Sequence, residues 1–270
     1  MNSTYTLNNG VKIPVLGLGT YQATKIKMIE DAIRRALDVG YRLIDTARMY
    51  GNESEVGNAV KKSGIPREEI FITTKVWFTD FGHDAAIKSF NKSLKELDME
   101  YVDLLLIHWP VGGQLLETWK AFEKLFIEEK CRAIGVSNFK ISHLKEFLEK
   151  SSIIPTLNQV EFHPFLYQEE LLNYCRENRI QLEAYSPLTQ GRKLNDEDLT
   201  KIANKYSKSV AQILIRWCIQ HQVVPIPKSS NPERIKQNAS IFDFSISPED
   251  MKALDALNQN LRIAWYPPGY

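Results

Sequence analysis

Three consecutive apolar segments of the sequence each end in an ionisable side chain, and these side chains are Asp45, Lys75 and His108. Tyr50 follows Asp45 in a short loop that contains a glycine. Adjacent parallel strands lie about 4.8 Å apart, so groups at the carboxyl ends of neighbouring strands can meet over one site. If the three segments are such strands, the four side chains form a single cluster.

The residue types in this cluster suit the reduction of a carbonyl group. A hydride that reaches a carbonyl carbon leaves negative charge on the oxygen, which then needs a proton donor. Tyrosine, with an ordinary pKa of about 10, is protonated at neutral pH and can fill that role. We expect Lys75 to stabilise the phenolate of Tyr50 and Asp45 to hold Lys75 in place. His108 could orient the carbonyl oxygen through a hydrogen bond.

Each of these residues also has a purely structural interpretation. Asp45 could cap the following helix or form an ion pair with Lys75 that has no catalytic role. His108 could be an ordinary buried histidine, and Tyr50 could serve only packing. The remaining histidines form no H-x-H or H-E-x-x-H pattern, so no metal site is predicted. The segment around Ser137 lacks the second glycine of a G-x-S-x-G nucleophile motif.

Strand-like and helix-like segments alternate along the chain. An Asn-Gly pair at 9–10 predicts an N-terminal hairpin. After it, eight apolar strand candidates each precede a helix, and they span 15–19, 41–45, 70–75, 102–108, 132–137, 156–160, 181–185 and 223–226. Near-continuous apolar runs are typical of parallel strands buried on both faces. Asn231 is the predicted N-cap of the helix after the eighth strand, and a last helix is predicted over Ser247–Leu257.

Eight strand-helix units in 270 residues favour an α/β fold. The expected architecture is a (β/α)8 TIM barrel with an N-terminal β-hairpin and a short C-terminal tail. The alternative is a doubly wound open sheet, which needs a G-x-G-x-x-G motif after its first strand. Gly17 and Gly19 are followed by Gln22, so that motif fails. No linker divides the chain, and residues 1–270 are expected to form a single domain.

The composition argues against several classes of partner. The chain has 34 Lys and Arg against 33 Asp and Glu, a net charge of +1 without a block of like charges. Neither nucleic acid nor an anionic membrane is therefore expected as a partner. The three cysteines are isolated, which argues against a disulfide framework. With no export signal or membrane-spanning run, a cytoplasmic location is expected.

Seven motifs occur in order along almost the whole chain: D-T-A-R-M-Y-G-N-E at 45–53, I-T-T-K-V-W at 72–77, D-L-L-L-I-H-W-P at 103–110, G-V-S-N-F at 135–139, N-Q-V-E-F-H-P at 158–164, A-Y-S-P-L at 184–188 and I-P-K-S-S-N-P-E-R-I at 226–235. They resemble the motifs of the aldo-keto reductases, and most of all a microbial-type member. The resemblance implies a (β/α)8 barrel whose catalytic tetrad is Asp45, Tyr50, Lys75 and His108. It also implies NADPH-dependent, reversible reduction of aldehydes and ketones, with the proton supplied by Tyr50.

The resemblance assigns further residues to an NADPH site. Those expected at the nicotinamide and its carboxamide are Ser137, Asn138, Gln159 and Tyr185. Those expected along the pyrophosphate are Ser186 and Leu188, and those expected at the adenosine 2′-phosphate and adenine are Lys228, Ser229, Arg234 and Asn238. Gly19 and Thr20 are assigned to the same cofactor site. Two cations and a hydroxyl at a helix N-terminus suit the phosphate of NADP, whereas the alternative is a solvated basic loop.

A substrate pocket with aromatic walls is expected beside the tetrad. Its candidate residues are Tyr21, Trp77, Phe78, Trp109 and Trp265. The segment after His108 is short and the C-terminal tail is brief, which favours an open pocket for varied aldehydes and ketones over a steroid site. The expected partner is a small carbonyl compound, and the chain is expected to be a monomer. The alternative function is a cofactor-binding regulatory barrel with little turnover.

Overall fold

A computed structural model describes residues 3–22, 26–267 and 270, which form ten β-strands and ten α-helices. The strands are β1 (Thr4–Thr6), β2 (Lys12–Pro14), β3 (Leu18–Gly19), β4 (Leu43–Asp45), β5 (Phe71–Val76), β6 (Val102–Ile107), β7 (Cys131–Ser137), β8 (Leu157–Glu161), β9 (Gln181–Tyr185) and β10 (Val224–Pro225). The helices are α1 (Ile26–Asp38), α2 (Glu53–Lys62), α3 (His83–Leu97), α4 (Leu115–Ile127), α5 (Ile141–Lys150), α6 (Glu169–Glu177), α7 (Glu197–Lys205), α8 (Val210–Gln220), α9 (Pro232–Ala239) and α10 (Pro248–Asp255).

Strands β3 to β10 form one parallel sheet in chain order, and its two edges meet. The backbone N–H of Gly17 donates to the carbonyl oxygen of Pro225 at 3.0 Å, and that of Gly19 donates to Pro227 at 3.2 Å. A Cβ atom on Gly19 would lie 2.8 Å from the carbonyl oxygen of Ile226, so only glycine permits this close approach. The predicted (β/α)8 barrel is confirmed.

The strands are buried on both faces because apolar side chains alternate between two layers. Every residue of β5 and β6 is buried. Ile72 and Leu105 are among those that face the surrounding helices. The residues that fill the barrel interior include Leu43, Phe71, Leu104, Leu106, Leu157 and Val224. The interior is therefore a packed core below the carboxyl ends of the strands.

The N-terminal hairpin closes the amino end of the barrel. Strands β1 and β2 pair antiparallel, and Gly10 makes the turn with a φ of 87°, a conformation that favours glycine. Leu7 and Ile13 pack into the interior core with Leu43 and Phe71. The predicted hairpin is confirmed, and it contributes apolar surface to the same core as the barrel strands.

The first and last barrel strands are shorter than predicted. β3 covers only Leu18–Gly19 instead of 15–19, and β10 covers only Val224–Pro225 instead of 223–226. Pro225 and Pro227 carry no backbone N–H, so this part of the chain cannot donate along a continuous ladder. β5 also runs one residue beyond Lys75, and His108 follows the last residue of β6.

Several helix boundaries follow from capping side chains. The helical region after β9 is divided into α7 and α8, and Ser209 caps α8 by accepting from the backbone of Gln212. Asn231 caps α9 as predicted, since its side chain accepts from the N–H of Arg234 at 3.1 Å. α10 ends at Asp255, two residues short of the prediction. Within the described ranges, no helix has the length and apolar character needed to span a membrane.

Candidate active site

A buried lysine at the end of β5 contacts both a carboxylate and a phenol. Lys75 Nζ donates to Asp45 Oδ1 at 2.7 Å, to the carbonyl oxygen of Thr46 at 2.9 Å and to the hydroxyl oxygen of Tyr50 at 3.3 Å. An ammonium has three hydrogens, so these contacts use all of its donors. Asp45 does not cap α2, because the N-cap position is occupied by Asn52. The three predicted residues therefore form one hydrogen-bonded group.

Tyr50 keeps its own proton available. Because Lys75 donates to the phenol oxygen, the hydroxyl hydrogen of Tyr50 is free to point elsewhere. Burial raises the pKa of Tyr50 well above its ordinary value, and the Asp45 carboxylate raises it further. From the sequence we expected Lys75 to stabilise the phenolate of Tyr50. In the free protein, burial and the nearby carboxylate outweigh that effect, and the phenol stays protonated.

His108 lies beside the phenol as a neutral imidazole. Its ring centroid is 5.7 Å from that of Tyr50 and 4.9 Å from that of Trp77, edge to face in both cases. Burial and the neighbouring ammonium of Lys75 hold the pKa of His108 well below its ordinary value of 6.5. Its Nδ1 is buried and finds no hydrogen-bond partner within the described chain. The side chain can therefore serve as a neutral hydrogen-bonding group.

The ends of β7, β8 and β9 present a set of locked polar side chains. Ser137 Oγ donates to the carbonyl oxygen of Gln159 at 2.8 Å. Asn138 Nδ2 donates to the carbonyl oxygen of His108 at 3.0 Å, and Asn138 Oδ1 accepts from the hydroxyl of Tyr185 at 2.8 Å. Tyr185 is thus fixed at its backbone by strand β9 and at its hydroxyl by Asn138, and its aromatic ring is held between these two points. Such a ring is a rigid surface against which a flat group can stack.

Two residues directly after these strands adopt left-handed backbone conformations. Asn138 follows β7 with a φ of 65°, and Ser186 follows β9 with a φ of 50°. Such conformations are uncommon for residues other than glycine and are found at functional sites when the surroundings enforce them. Here the chain must turn sharply at the mouth of the barrel, which brings its backbone to the site.

A cavity of ≈ 1120 Å³ opens over the carboxyl ends of the strands. The catalytic candidates that line it are Asp45, Tyr50 and His108, and the lining residues assigned to the cofactor are Gly19, Ser137, Asn138, Gln159, Tyr185, Ser186, Leu188, Lys228, Ser229, Arg234 and Asn238. Lys75 lies beneath this surface. Thr20 is also outside the lining, because its hydroxyl donates to the carbonyl oxygen of Asp45 at 3.0 Å.

One end of the cavity is cationic and lies at the N-terminus of α9. Lys228 and Arg234 line it and are exposed, and neither forms an ion pair with a carboxylate in the described ranges of the chain. The N-terminus of a helix adds backbone N–H groups and a positive dipole end. A cavity larger than ordinary drug-sized pockets of about 300–1,000 Å³, with a cationic end and a rigid aromatic ring, fits a phosphorylated dinucleotide.

Aromatic side chains form part of the cavity wall, and among them are Tyr21, Trp77, Trp109 and Trp265. Trp265 stacks on Trp77 with centroids 6.4 Å apart and meets Trp109 edge to face at 6.3 Å. Phe78 does not line the cavity. It packs behind Trp77, with ring centroids 4.5 Å apart, and supports the wall from outside.

Comparison with known proteins agrees with this arrangement. Residues 15–259 match the family model described as Aldo/keto reductase family. The chain belongs to the aldo/keto reductase family. A relative named glyoxal reductase, from Bacillus subtilis (strain 168), is 50% identical to this aldo/keto reductase over 267 residues, which cover 99% of this chain and 97% of the relative.

Solved structures of other aldo-keto reductases share the fold closely. A crystal structure of an aldo-keto reductase from a Medee basin deep-sea metagenome library has a TM-score of 0.94 at 49% identity, and the match covers 97% of each chain. The Bombyx mori aldo-keto reductase, crystallised in complex with NADP, has a TM-score of 0.92 at 36% identity, with 97% of this chain and 94% of that chain covered. Our expectation of an NADP-dependent oxidoreductase that reduces aldehydes and ketones is confirmed.

The C-terminal tail of this aldo/keto reductase is tied to the barrel by a buried carboxylate that was not predicted from the sequence. Glu161, the last residue of β8, accepts from the backbone N–H groups of Ile263 and Ala264 at 2.8 and 3.2 Å. Its other neighbours are His163 and Arg262. These contacts fix the position of the residue that follows, Trp265. The available signal was an acidic residue at the carboxyl end of a strand, the end at which the tetrad residues also lie.

A second buried carboxyl inside the barrel was also missed. Glu183 on β9 is fully buried, and one of its oxygens accepts from Gln159 Nε2 at 2.6 Å. The same nitrogen donates to Asp45 Oδ2 at 2.8 Å. The signal in the sequence was the glutamate of Q-L-E-A-Y, which shares the inward-facing positions of β9 with Tyr185. Its position links the aldo/keto reductase tetrad to the far side of the barrel.

Proposed function

We propose that Tyr50 is the proton donor of this aldo/keto reductase, with Lys75 and Asp45 as its supporting pair and His108 as the residue that orients the carbonyl oxygen. The observation that carries the proposal is the hydrogen bond from Lys75 Nζ to the oxygen of Tyr50, at 3.3 Å, directly beneath the cavity. This donor leaves the phenol hydrogen free on the side that faces the cavity.

Proton donation by Tyr50 leaves negative charge on its oxygen. The ammonium of Lys75 already contacts that oxygen and is held by Asp45 and by the carbonyl oxygen of Thr46. The positive charge is therefore in place before the proton moves, so little rearrangement is needed to stabilise the phenolate. The raised pKa of Tyr50 in the free protein keeps its phenol protonated at neutral pH.

His108 acts on the same oxygen of the substrate. Because its imidazole stays neutral, it offers one N–H and does not compete with Tyr50 as an acid. The rings of Tyr50 and His108 meet edge to face with centroids 5.7 Å apart, so both side chains can reach the same carbonyl oxygen. Two donors aimed at one oxygen stabilise the charge that develops there during reduction.

NADPH, when bound, supplies the hydride that reduces the carbonyl carbon. We assign the stacking surface for its nicotinamide to Tyr185, whose hydroxyl is anchored by Asn138. Lys228 and Arg234, whose charges are not neutralised by neighbouring carboxylates in the described ranges, would hold the 2′-phosphate. The remaining residues that we assign to the cofactor are Gly19, Ser137, Gln159, Ser186, Leu188, Ser229 and Asn238, whereas Thr20 lies outside the cavity lining.

The substrates that we propose are small aldehydes and ketones, including dicarbonyls of the size of glyoxal. Tyr21 and Trp265 at the rim are 50% and 60% exposed, so the aromatic wall leaves the cavity open. An open apolar wall accepts varied small carbonyl compounds but makes few specific contacts. The name of the glyoxal reductase from Bacillus subtilis (strain 168) supports the same class of substrate.

We further propose that residues 1–270 are a single domain and act as a cytoplasmic monomer without a nucleic-acid partner. The hairpin closes one end of the barrel and the tail packs on the other, which supports a single folded unit. The three cysteines are free and buried, as expected in a reducing compartment. The net charge of +1 does not favour a nucleic-acid partner.

The proposal is tested by following the loss of NADPH absorbance with a panel of glyoxal, short aldehydes, small ketones and a bulky steroid ketone. We expect rapid consumption with the small carbonyls and little with the steroid. NADPH binding is measured in parallel by fluorescence. Tight binding of NADPH without consumption by any small carbonyl compound would instead identify a regulatory barrel.

A further inference from the structure

The turn that carries Tyr50 is short, and one of its side chains is a cation that the proposed reaction does not use. It is a 3-10 turn over Arg48–Tyr50, and Ala47, the residue before it, cannot cap it with a side chain. Met49 and Tyr50 line the cavity, whereas Arg48 lies outside the lining. Arg48 therefore contacts neither the substrate nor the cofactor from its place in the turn.

An ion pair joins this turn to the turn that follows the aromatic wall residue Trp77. Arg48 Nε donates to Asp80 Oδ2 at 3.3 Å. Asp80 is the last residue of a second 3-10 turn, Phe78–Asp80, and its backbone N–H donates to the carbonyl oxygen of Trp77 at 2.9 Å. The side chains of Arg48 and Asp80 are 25% and 33% exposed, so solvent screens the pair only in part. The loops after β4 and β5 are thereby connected outside the cavity.

The Asp80 carboxylate is itself held by a well-packed helix. Ser89 Oγ on α3 donates to the same oxygen, Asp80 Oδ2, at 2.7 Å. Ser89 is 5% exposed, and α3 buries Ala86 and Phe90 completely in the core. The side chain of Arg48 therefore links its turn to a fixed point on α3.

Two hydrogen bonds fix the ends of the loop that contains the Tyr50 turn. Lys75 Nζ donates to the carbonyl oxygen of Thr46 at 2.9 Å, and Thr46 Oγ1 donates to Asn52 Oδ1 at 2.7 Å. Between these ends, Met49 is 56% exposed, and the hydroxyl of Tyr50 accepts from Lys75 at 3.3 Å, just beyond the usual range of about 2.7–3.2 Å. A small shift of the turn would break this bond to the phenol. Since reacting groups must be aligned to within about 1 Å, the shift would also slow proton transfer.

We propose that Arg48 and Asp80 are positioning residues for the reduction: their ion pair ties the turn that carries Tyr50 to α3 and holds the phenol in place for proton transfer. This inference rests on the proposed role of Tyr50 as the proton donor. Because Asp80 also closes the turn after Trp77, the pair fixes the separation between the proton donor and the aromatic wall of the cavity.

Single-turnover oxidation of NADPH by an aldehyde measures the effect. Arg48→Met keeps much of the aliphatic stem but removes the donor, and we expect the rate to fall about tenfold, since misplacement by about 1 Å can cost about 100-fold. Asp80→Ala should give a similar fall. The double variant should be no slower than either single variant, because all three lose the same contact. Wild-type rates in both single variants overturn the inference.

Rescue and cofactor affinity test the same pair. Arg48→Lys keeps a cation beside Asp80 and should restore the rate to within about threefold of wild type, because the pair uses one hydrogen bond and not the guanidinium fork. The Kd for NADPH should stay unchanged in every variant, because neither Arg48 nor Asp80 lines the cavity. A rate for Arg48→Lys as low as that for Arg48→Met overturns the inference, as does a tenfold loss of NADPH affinity.

Two comparisons separate positioning from other effects of Arg48. A direct effect of its charge on the phenolate would slow Arg48→Met but not Asp80→Ala, which keeps the guanidinium, and that pattern overturns the inference. Arg48→Met in a Tyr50→Phe protein should cause no further fall in the residual rate, because the group on which Arg48 acts is already gone. A further tenfold fall in that protein overturns the inference as well.

Lys61→Met is the matched control. Lys61 Nζ contacts Asp98 Oδ2 at 2.7 Å, and this exposed pair joins α2 to the residue that follows α3. It links the same two strand-helix units as Arg48 and Asp80, but away from the cavity lining. We expect Lys61→Met to react at the wild-type rate, and a fall equal to that of Arg48→Met overturns the inference.

Fluorine NMR of the free protein labelled with fluorotyrosine provides a measurement that does not depend on turnover. The resonance of Tyr50 is assigned by its loss in Tyr50→Phe. We expect it to shift or broaden in Arg48→Met and Asp80→Ala but not in Lys61→Met, and an unchanged resonance in the first two overturns the inference. Failure of the proposed function is distinguishable, because Tyr50→Phe would then react as fast as wild type.

Discussion

Replacing Lys75 by methionine tests the buried ion pair at the centre of the site. The change keeps most of the side-chain volume but removes the ammonium, whose hydrogen bonds to Asp45 and Tyr50 are 2.7 and 3.3 Å long. The side chains of Lys75 and Asp45 are 0% and 3% exposed, so Asp45 is left as a buried carboxylate without its cation. Loss of one partner of such a pair costs about 3–5 kcal/mol of unfolding free energy. Gln159 still donates to Asp45, which favours the lower end of that range.

The loss of stability should depend on pH in a defined direction. Burial raises the pKa of Asp45, and Lys75 opposes that rise in the native protein. Without the ammonium, the folded-state pKa of Asp45 lies further above its unfolded value. The folded variant then binds a proton at Asp45 more readily than the unfolded chain does. The loss of unfolding free energy is therefore complete when the pH is above the folded-state pKa of Asp45, and it becomes smaller as the pH falls through that pKa.

Urea unfolding, followed by tryptophan fluorescence, measures the loss of unfolding free energy. Stopped-flow NADPH oxidation measures the loss of catalysis, which we expect to be about a hundredfold or more. The matched control is the double variant Asp45→Asn with Lys75→Met, which removes both charges. It should recover much of the stability while turnover stays low. If Lys75→Met alone lowers the unfolding free energy by less than about 1 kcal/mol, as the loss of an exposed ion pair would, then Lys75 and Asp45 do not form a buried ion pair.

Three further perturbations address the cofactor, the tail and the imidazole. Replacing Lys228 and Arg234 by alanine should weaken NADPH binding about tenfold or more, with little change for NADH; fluorescence titration of both cofactors checks this, and an equal loss would count against a 2′-phosphate site. Glu161→Ala should free the tail that carries Trp265 and raise KM for an aldehyde about fivefold. A fivefold loss of NADPH affinity in the same variant would show that Glu161 does not act through the tail alone. Because the pKa of His108 lies well below 6.5, protonation of this residue should not lower kcat/KM near neutral pH. A fall in kcat/KM on the acid side of neutral pH that disappears in His108→Asn would show that the imidazole is not neutral.

The tetrad could be predicted from the sequence because its position follows from local pattern. Asp45, Lys75 and His108 each end an apolar run, and parallel strands in chain order must bring those ends together. The order of the strands in the barrel is also the order in the chain, so no long-range information was needed. The helix cap at Asn231 was predictable for the same reason, since a cap acts within a few residues.

Other features depend on contacts across the barrel, which local pattern does not encode. Glu183 meets Asp45 only through the amide of Gln159, a residue 114 positions from Asp45 in the chain. Glu161 holds a tail segment 102 residues away. Phe78 and Thr20 lie next to the wall residues Trp77 and Tyr21 in the sequence, but neither of them lines the cavity. The direction of a side chain in a loop was not readable from its neighbours.

The central claim is that Tyr50 gives its proton to the carbonyl oxygen. The direct test is single-turnover oxidation of NADPH by an aldehyde in Tyr50→Phe, a change that removes only the hydroxyl. We expect the rate to fall by about 10²–10⁴-fold, since general acid catalysis contributes that much, and the Kd for NADPH to stay unchanged. A rate equal to that of the wild-type protein, with the cofactor bound as tightly, would contradict the account.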